Sequence, residues 1–306
     1  MLVTAGCGKA QSAAAPLEPY TITVAPGITK PEPKPEPLPD EVFTEMLLEQ
    51  IEKTEPGGGY YTGAEIKPPL TNNAWVSMDE AFVLNENGAP EISEALARPS
   101  FCSCGVYMLI MKTLSLWDVS GQVSPKAWEY LKPYSVNNGK WAFQTDGTGC
   151  WGMANANGPG FAVMAAELGI GESFVIPMKR EVDEEKYFSL WQNVQPGDVV
   201  KLFWNDNVGS EEKGHLVIFL KTEEATDKYG RRDDTVTYWS SNGSGFMPDG
   251  GYGVETVSSS KITRAVVTRI SSPGAFAQAE NIRPDKVNEY LNSLLTMNSK
   301  ELPELN

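Results

Sequence analysis

From residue 41 onward the apolar positions recur at helical spacing. Val42, Phe43, Met46, Leu47 and Ile51 form one stripe that stops at Pro56 and the glycines behind it, which predicts a helix over residues 41–55. A second helix begins close to Phe101 and Cys102, because Val106, Leu109, Ile110, Thr113 and Leu114 fall near i, i+3, i+4, i+7 and i+8 and make a buried face. Phe161 to Leu168 predicts a short helix stopped by Gly169. Pro284 to Met297 predicts a terminal helix with proline in its first turn. Residues 60–84 mix aromatic and turn-forming residues and match neither period.

Beyond residue 197 the pattern changes to short β-branched and aromatic runs. Asp198–Trp204 and His215–Lys221 are separated by the polar, turn-forming NDNVGSEEKG, which predicts a hairpin. Thr235–Ser240, Gly253–Val257 and Lys261–Ile270 predict three further strands. Connections this short leave no room for crossover helices, so the sheet should be mainly antiparallel, with the helices ahead of it: an α+β layout. Gln144 to Gly160 is crowded with glycine and asparagine and predicts a loop.

Composition narrows the partners. A formal net charge of −15 repels phosphate backbones and anionic bilayers, which argues against nucleic acid. No run of about 20 apolar residues is present to span a bilayer. The first seven residues end in Thr4-Ala5-Gly6-Cys7, which resembles the tail of a bacterial lipoprotein signal. Cys7 would then be a lipid anchor and the sole point of membrane contact. Residues 8–40 come to alternate proline with lysine and glutamate, as an extended tether does, and residues 41–297 are expected to form a single domain of catalytic type.

The remaining cysteines, Cys102, Cys104 and Cys150, make neither a disulfide framework nor the paired spacing of a zinc site. Cys102 or Cys104 sits in the first turn of a helix, where unpaired N–H groups and the positive end of the dipole favour a thiolate. A thiolate enzyme needs an imidazole to take the thiol proton and later protonate the leaving group, and the chain has one histidine, His215. A polar residue on the neighbouring strand could then orient the ring. Asn242 suits that role, with Ser240 in reserve on the same strand face. In the glycine-rich segment, Trp151, Asn155 and Asn157 are candidates to stack on and hydrogen-bond a sugar or peptide.

These pieces, in this order, resemble the NlpC-type cysteine peptidases of bacterial cell walls. The resemblance covers about residues 95–270 and rests on three segments: Cys102-Ser103-Cys104-Gly105-Val106 opening a helix, Pro196-Gly197-Asp198-Val199-Val200 leading a strand, and Gly214-His215-Leu216-Val217-Ile218 followed by a strand bearing a polar residue. It implies a compact papain-like fold in which a nucleophile helix packs on a mainly antiparallel sheet. It also implies Cys102 as nucleophile, His215 as base, Asn242 as orienter, and no metal or organic cofactor. The substrate would be an amide bond in peptidoglycan peptides, in the periplasm or outside the cell. The chain departs from the pattern in placing Phe101 where the family has aspartate, Cys104 where it has glycine, and an insertion at about residues 115–195. Other readings of the same residues are an inactive papain-like module holding wall glycan or peptide, and an acyltransferase or lipid-amide hydrolase using the same dyad.

Overall fold

A computed structural model describes residues 35–133, 149–303 and 305. Cys7, the signal-like residues 1–7 and most of the expected tether lie outside them. The chain runs through α1 (Asp40–Lys53), β1 (Gly57–Tyr61), α2 (Ala74–Ala81) and a small hairpin of β2 (Phe82–Leu84) and β3 (Pro90–Ile92). The long helix α3 (Cys102–Trp117) follows. Then come α4 (Pro125–Leu131), α5 (Gly149–Asn155), α6 (Gly160–Leu168), β4 (Gly171–Ile176) and α7 (Glu184–Gln192). The chain continues through β5 (Val199–Phe203), β6 (Gly214–Glu223), β7 (Thr235–Asn242), β8 (Phe246–Ser258) and β9 (Arg264–Ile270), and then α8 (Pro284–Thr296).

The expected α+β class and antiparallel sheet are present: β1-β8-β7-β6-β5-β9-β4 form one sheet in which each neighbouring pair is antiparallel. The order of helices and strands along the chain differs from expectation. Both edges are built by strands that precede the β5–β9 run, β1 from ahead of α3 and β4 from inside the insertion. Neither announces itself locally, because β1 is mostly glycine and tyrosine and β4 is a half-exposed edge strand with no clean alternation.

The central strands read as continuous apolar runs because both faces of the sheet are covered. Val199, Phe203, Leu216, Ile218, Trp239 and Val266 face one core, which also takes residues of α1, α3, α5, α6 and α8. Val200, Leu202, Val217, Phe219, Tyr238 and Val267 face a second core closed by Tyr187, Phe188 and Trp191 of α7. Alternation is intact; only its polar half is missing.

The loop expected over residues 144–160 is corrected for its described part, since residues 149–155 form α5. Glycine weakens an isolated helix by about 1 kcal/mol per residue. Here Cys150, Trp151, Met153 and Ala154 are all buried, and that burial outweighs the local preference. The helix at Phe161–Leu168 forms as expected, ended by Gly169 in the left-handed region at φ 70°.

α3 lies at the centre, buried on nearly all sides and not on one stripe alone: Tyr107, Met108 and Met111 are as inaccessible as Val106 and Leu109. It crosses β6 and β7 at close range. Gly105 permits this, because a Cβ there would stand 2.9 Å from Tyr252 Cε1 and 3.2 Å from Ser241 Cβ. Overpacking of this kind costs about 1–3 kcal/mol, against about 1 kcal/mol that alanine gains over glycine in helix propensity. Gly105→Ala is therefore expected to lower the urea midpoint at unchanged slope. A midpoint at or above that of the parent protein would show that Tyr252 gives way freely.

Candidate active site

The start of α3 is held by hydrogen bonds from the sheet. Ser100 donates its N–H to Gly59 O at 3.1 Å, accepts from Tyr61 N at 3.0 Å, and sends its hydroxyl to Ser241 Oγ at 2.7 Å. Tyr252 donates its phenol to Ala97 O at 2.7 Å. Three strands thus fix the approach to Cys102, two residues after Ser100 and the first of the helix. Its N–H belongs to the first turn, which has no intrahelical acceptor.

Opposite this helix end, two strands part. The β6–β7 ladder runs from Glu223 paired with Thr235 as far as Ile218 paired with Trp239 and goes no further toward His215. The freed peptide groups of Leu216 find other partners: its carbonyl accepts the Ser240 hydroxyl at 2.8 Å, and its N–H donates to the Cys102 sulfur. His215 stays paired with Leu202 on β5. Its ring packs beside Trp204 and Tyr238, at centroid distances of 6.3 and 5.6 Å.

Asn242 decides the tautomer. Its Nδ2 donates to Gly253 O at 2.8 Å, so its Oδ1 is the atom facing the imidazole and accepts from His215 Nε2 at 3.0 Å. A proton on Nε2 leaves Nδ1 to meet Cys102, with which the ring shares a side-chain hydrogen bond. Ser240, the reserve orienter, is engaged with Leu216 O and does not hold that place. Cys104 is fully buried, two residues past the one that faces the histidine.

Burial pushes the Cys102 thiol up. The hydrogen bond and charge of His215, the Leu216 N–H and the Lys201 ammonium together outweigh it, and the thiol settles at about 7 from an ordinary 9.0. For His215, burial favours the neutral ring, but the hydrogen bond and charge of Cys102 and the bond to Asn242 prevail and raise it above 6.5. Near neutral pH each partner stabilises the ionised form of the other, so the two titrate as a pair. Cys150 is buried without such partners and is pushed up to about 12, which makes it inert.

Cys102 opens onto a cavity of about 270 Å³ lined by Tyr60, Ser103, Asn155, Lys201, Gly214 and Leu216 among others. Ser103 donates its hydroxyl to Asn155 Oδ1 at 2.6 Å. Asn157 also lines the cavity, but its side-chain Nδ2 donates to Gly209 O at 2.7 Å and its backbone carbonyl accepts from the Tyr290 phenol. Trp151 requires correction as a stacking residue: it is 1% exposed, with Tyr107 and Phe101 at centroid distances of 5.3 and 6.3 Å, and presents no face to a ligand.

The local motifs did not reveal Tyr60, Lys201 and Glu212. Burial, together with Cys102 and Cys104, keeps the Tyr60 phenol protonated, a donor beside the sulfur. Lys201 pairs with Glu212 at 2.7 Å, and the second Glu212 oxygen accepts the N–H groups of Gly158 and Gly209. A Cβ at Gly214 would fall 2.6 Å from both side chains of that pair, which explains the glycine ahead of the histidine.

Alkylation of Cys102 by iodoacetamide should follow a pH midpoint of about 7. In His215→Ala burial remains while the hydrogen bond and charge are gone, so the midpoint should move upward past that of an ordinary thiol. An unchanged midpoint would mean that the imidazole does not stabilise the thiolate. Comparison of the chain with protein-family models, curated proteins and solved structures gave no match, and the chemistry of the site is therefore argued from its own atoms.

Proposed function

We propose that this chain is a cysteine hydrolase of the bacterial cell envelope, with a papain-like fold of the NlpC type, that cleaves an amide bond in peptidoglycan peptides. The observation that carries the reading is the continuous chain of hydrogen bonds from Cys102 through His215 to Asn242. Each member has the partner its role needs: a thiolate at a helix start, a base with one nitrogen free for it, and an amide that holds the other nitrogen. The fold supports the same reading through its order, a nucleophile helix followed by antiparallel strands that carry first the histidine and then its orienter.

The Cys102 thiolate adds to the substrate carbonyl, forming a C–S bond and moving the carbonyl electron pair onto oxygen. The Cys102 N–H is placed to hold that oxyanion. As the intermediate collapses, the C–N bond breaks and the His215 imidazolium gives its proton to the departing amine. Water, deprotonated by the now neutral ring, attacks the thioester and releases the acid and the thiolate. At about 270 Å³ the cavity lies just below the roughly 300–1,000 Å³ usual for small-molecule pockets, which suits a short segment of peptide. Lipidation at Cys7 and the proline-rich tether are part of the proposal, and they would keep the enzyme near its polymer.

Three variants test it. On solubilised wall peptides, Cys102→Ala should abolish release of new amino termini, and His215→Ala should lower it by about 10²–10⁴, while Cys104→Ala that still folds keeps activity. If the parent protein releases nothing from such fragments, the peptidoglycan assignment fails. Activity that survives in Cys102→Ala would remove the mechanism.

A further inference from the structure

Asn155 comes from the insertion, outside the segments that carry the family resemblance, yet it lines the same cavity as Cys102. Its amide has a determined orientation. The contact with Ser103 Oγ is 2.6 Å, the length of an O–H···O bond and short for N–H···O. The carboxamide oxygen therefore faces Ser103, and the Nδ2 group, with two N–H donors, points the other way. Asn157, two residues on, is its control: the same side chain in the same cavity, with its Nδ2 already bonded to Gly209 O.

The frame around Asn155 is rigid. It is the last residue of α5, whose preceding residues Cys150, Trp151, Met153 and Ala154 are buried. Ser103 is itself buried in the first turn of α3, directly after the nucleophile. The hydroxyl that turns the amide is thus fixed by the same helix end that places the sulfur.

We propose that Asn155 is a catalytic residue whose Nδ2 donates a hydrogen bond to the substrate carbonyl oxygen as it becomes the oxyanion, with Ser103 as the positioning residue that turns the amide toward it. The proposal rests on the cysteine-hydrolase reading. When the thiolate adds to the carbonyl carbon, the C=O electron pair moves to oxygen, and that oxygen accepts from the Cys102 N–H and from Asn155 Nδ2. When the amine leaves with the proton of His215, the C=O bond re-forms and both donors return to the ground state. A preorganised donor of this kind is worth about 10²–10³ in rate.

Two reactions of the same sulfur separate this role from a structural one. Acylation by p-nitrophenyl acetate passes through an oxyanion. Alkylation by iodoacetamide displaces iodide at a saturated carbon and forms none. Asn155→Ala should slow acylation about 10²–10³-fold and leave the alkylation rate and its pH midpoint unchanged, with the urea midpoint lowered only by the lost bond to Ser103. Asn155→Asp, which still accepts from Ser103 but has no N–H to offer, should behave like the alanine variant in acylation at neutral pH. Ser103→Ala should lose a smaller part of the acylation rate, and Ser103→Thr, which keeps the hydroxyl, should restore it. Equal losses in acylation and alkylation would make Asn155 structural, and an unchanged acylation rate in Asn155→Ala would remove it from catalysis; either result overturns the proposal. If the parent protein is alkylated at Cys102 and never acylated, the hydrolase reading itself has failed, an outcome distinct from both.

Discussion

The close crossing of α3 over β7 at Gly105 is the constraint from which the site follows. A helix buried on nearly all sides has no slack, since any shift would press Gly105 into Tyr252 or Ser241 or open voids along Tyr107, Met108 and Met111. Bonds from Ser100 to Gly59 and Ser241 then fix its first turn in place. The sulfur of Cys102 is therefore positioned by packing on one side and by the sheet's hydrogen bonds on the other.

What that sulfur meets depends on a defect in the sheet. Had β6 and β7 stayed paired beyond Ile218, the peptide groups of Leu216 would have been used up in the ladder. Because the strands part, one of those groups binds the thiolate and the other binds Ser240, so neither is left stranded. The electrostatics follow the same economy of partners. Burial alone would favour the neutral form of both Cys102 and His215, and each is drawn toward its ionised form mainly by the other beside it. Asn242 adds a fixed dipole that commits the ring to one tautomer.

The far wall of the cavity is the work of the insertion and of the β5–β6 connection, which interlock. Glu212 is the tie: its carboxylate holds Lys201 from β5, Gly158 from the turn after α5, and Gly209 from its own loop. The phenol of Tyr290 on α8 closes the same turn through the carbonyl of Asn157. Burying a polar group costs free energy unless it finds partners, and these contacts supply them. Its presence explains why a glycine precedes the catalytic-type histidine, a feature that looks like a bare motif until the ion pair beside it is seen.

The sequence by itself determined the helix at Cys102, the β5–β6 hairpin, the α+β class, and the candidates Cys102, His215 and Asn242, because each rests on local chemistry: a helical stripe, a turn between two β-branched runs, a single imidazole, a polar residue where a strand ends. Helix position alone did not separate Cys102 from Cys104, since both fall in the same first turn, and the preference for Cys102 came from the resemblance of its motif. The tertiary structure separates them directly, because which of two nearby residues faces another element is a matter of helix rotation against the sheet. The same limit hid Tyr60, Lys201 and Glu212, brought to the sulfur by pairings between distant segments, and misplaced Trp151, whose ring was free to seek a ligand until the core closed over it. Spacing along a chain encodes periodicity. Proximity across it is decided by which surfaces must be buried together, and that requires every element to be in place at once.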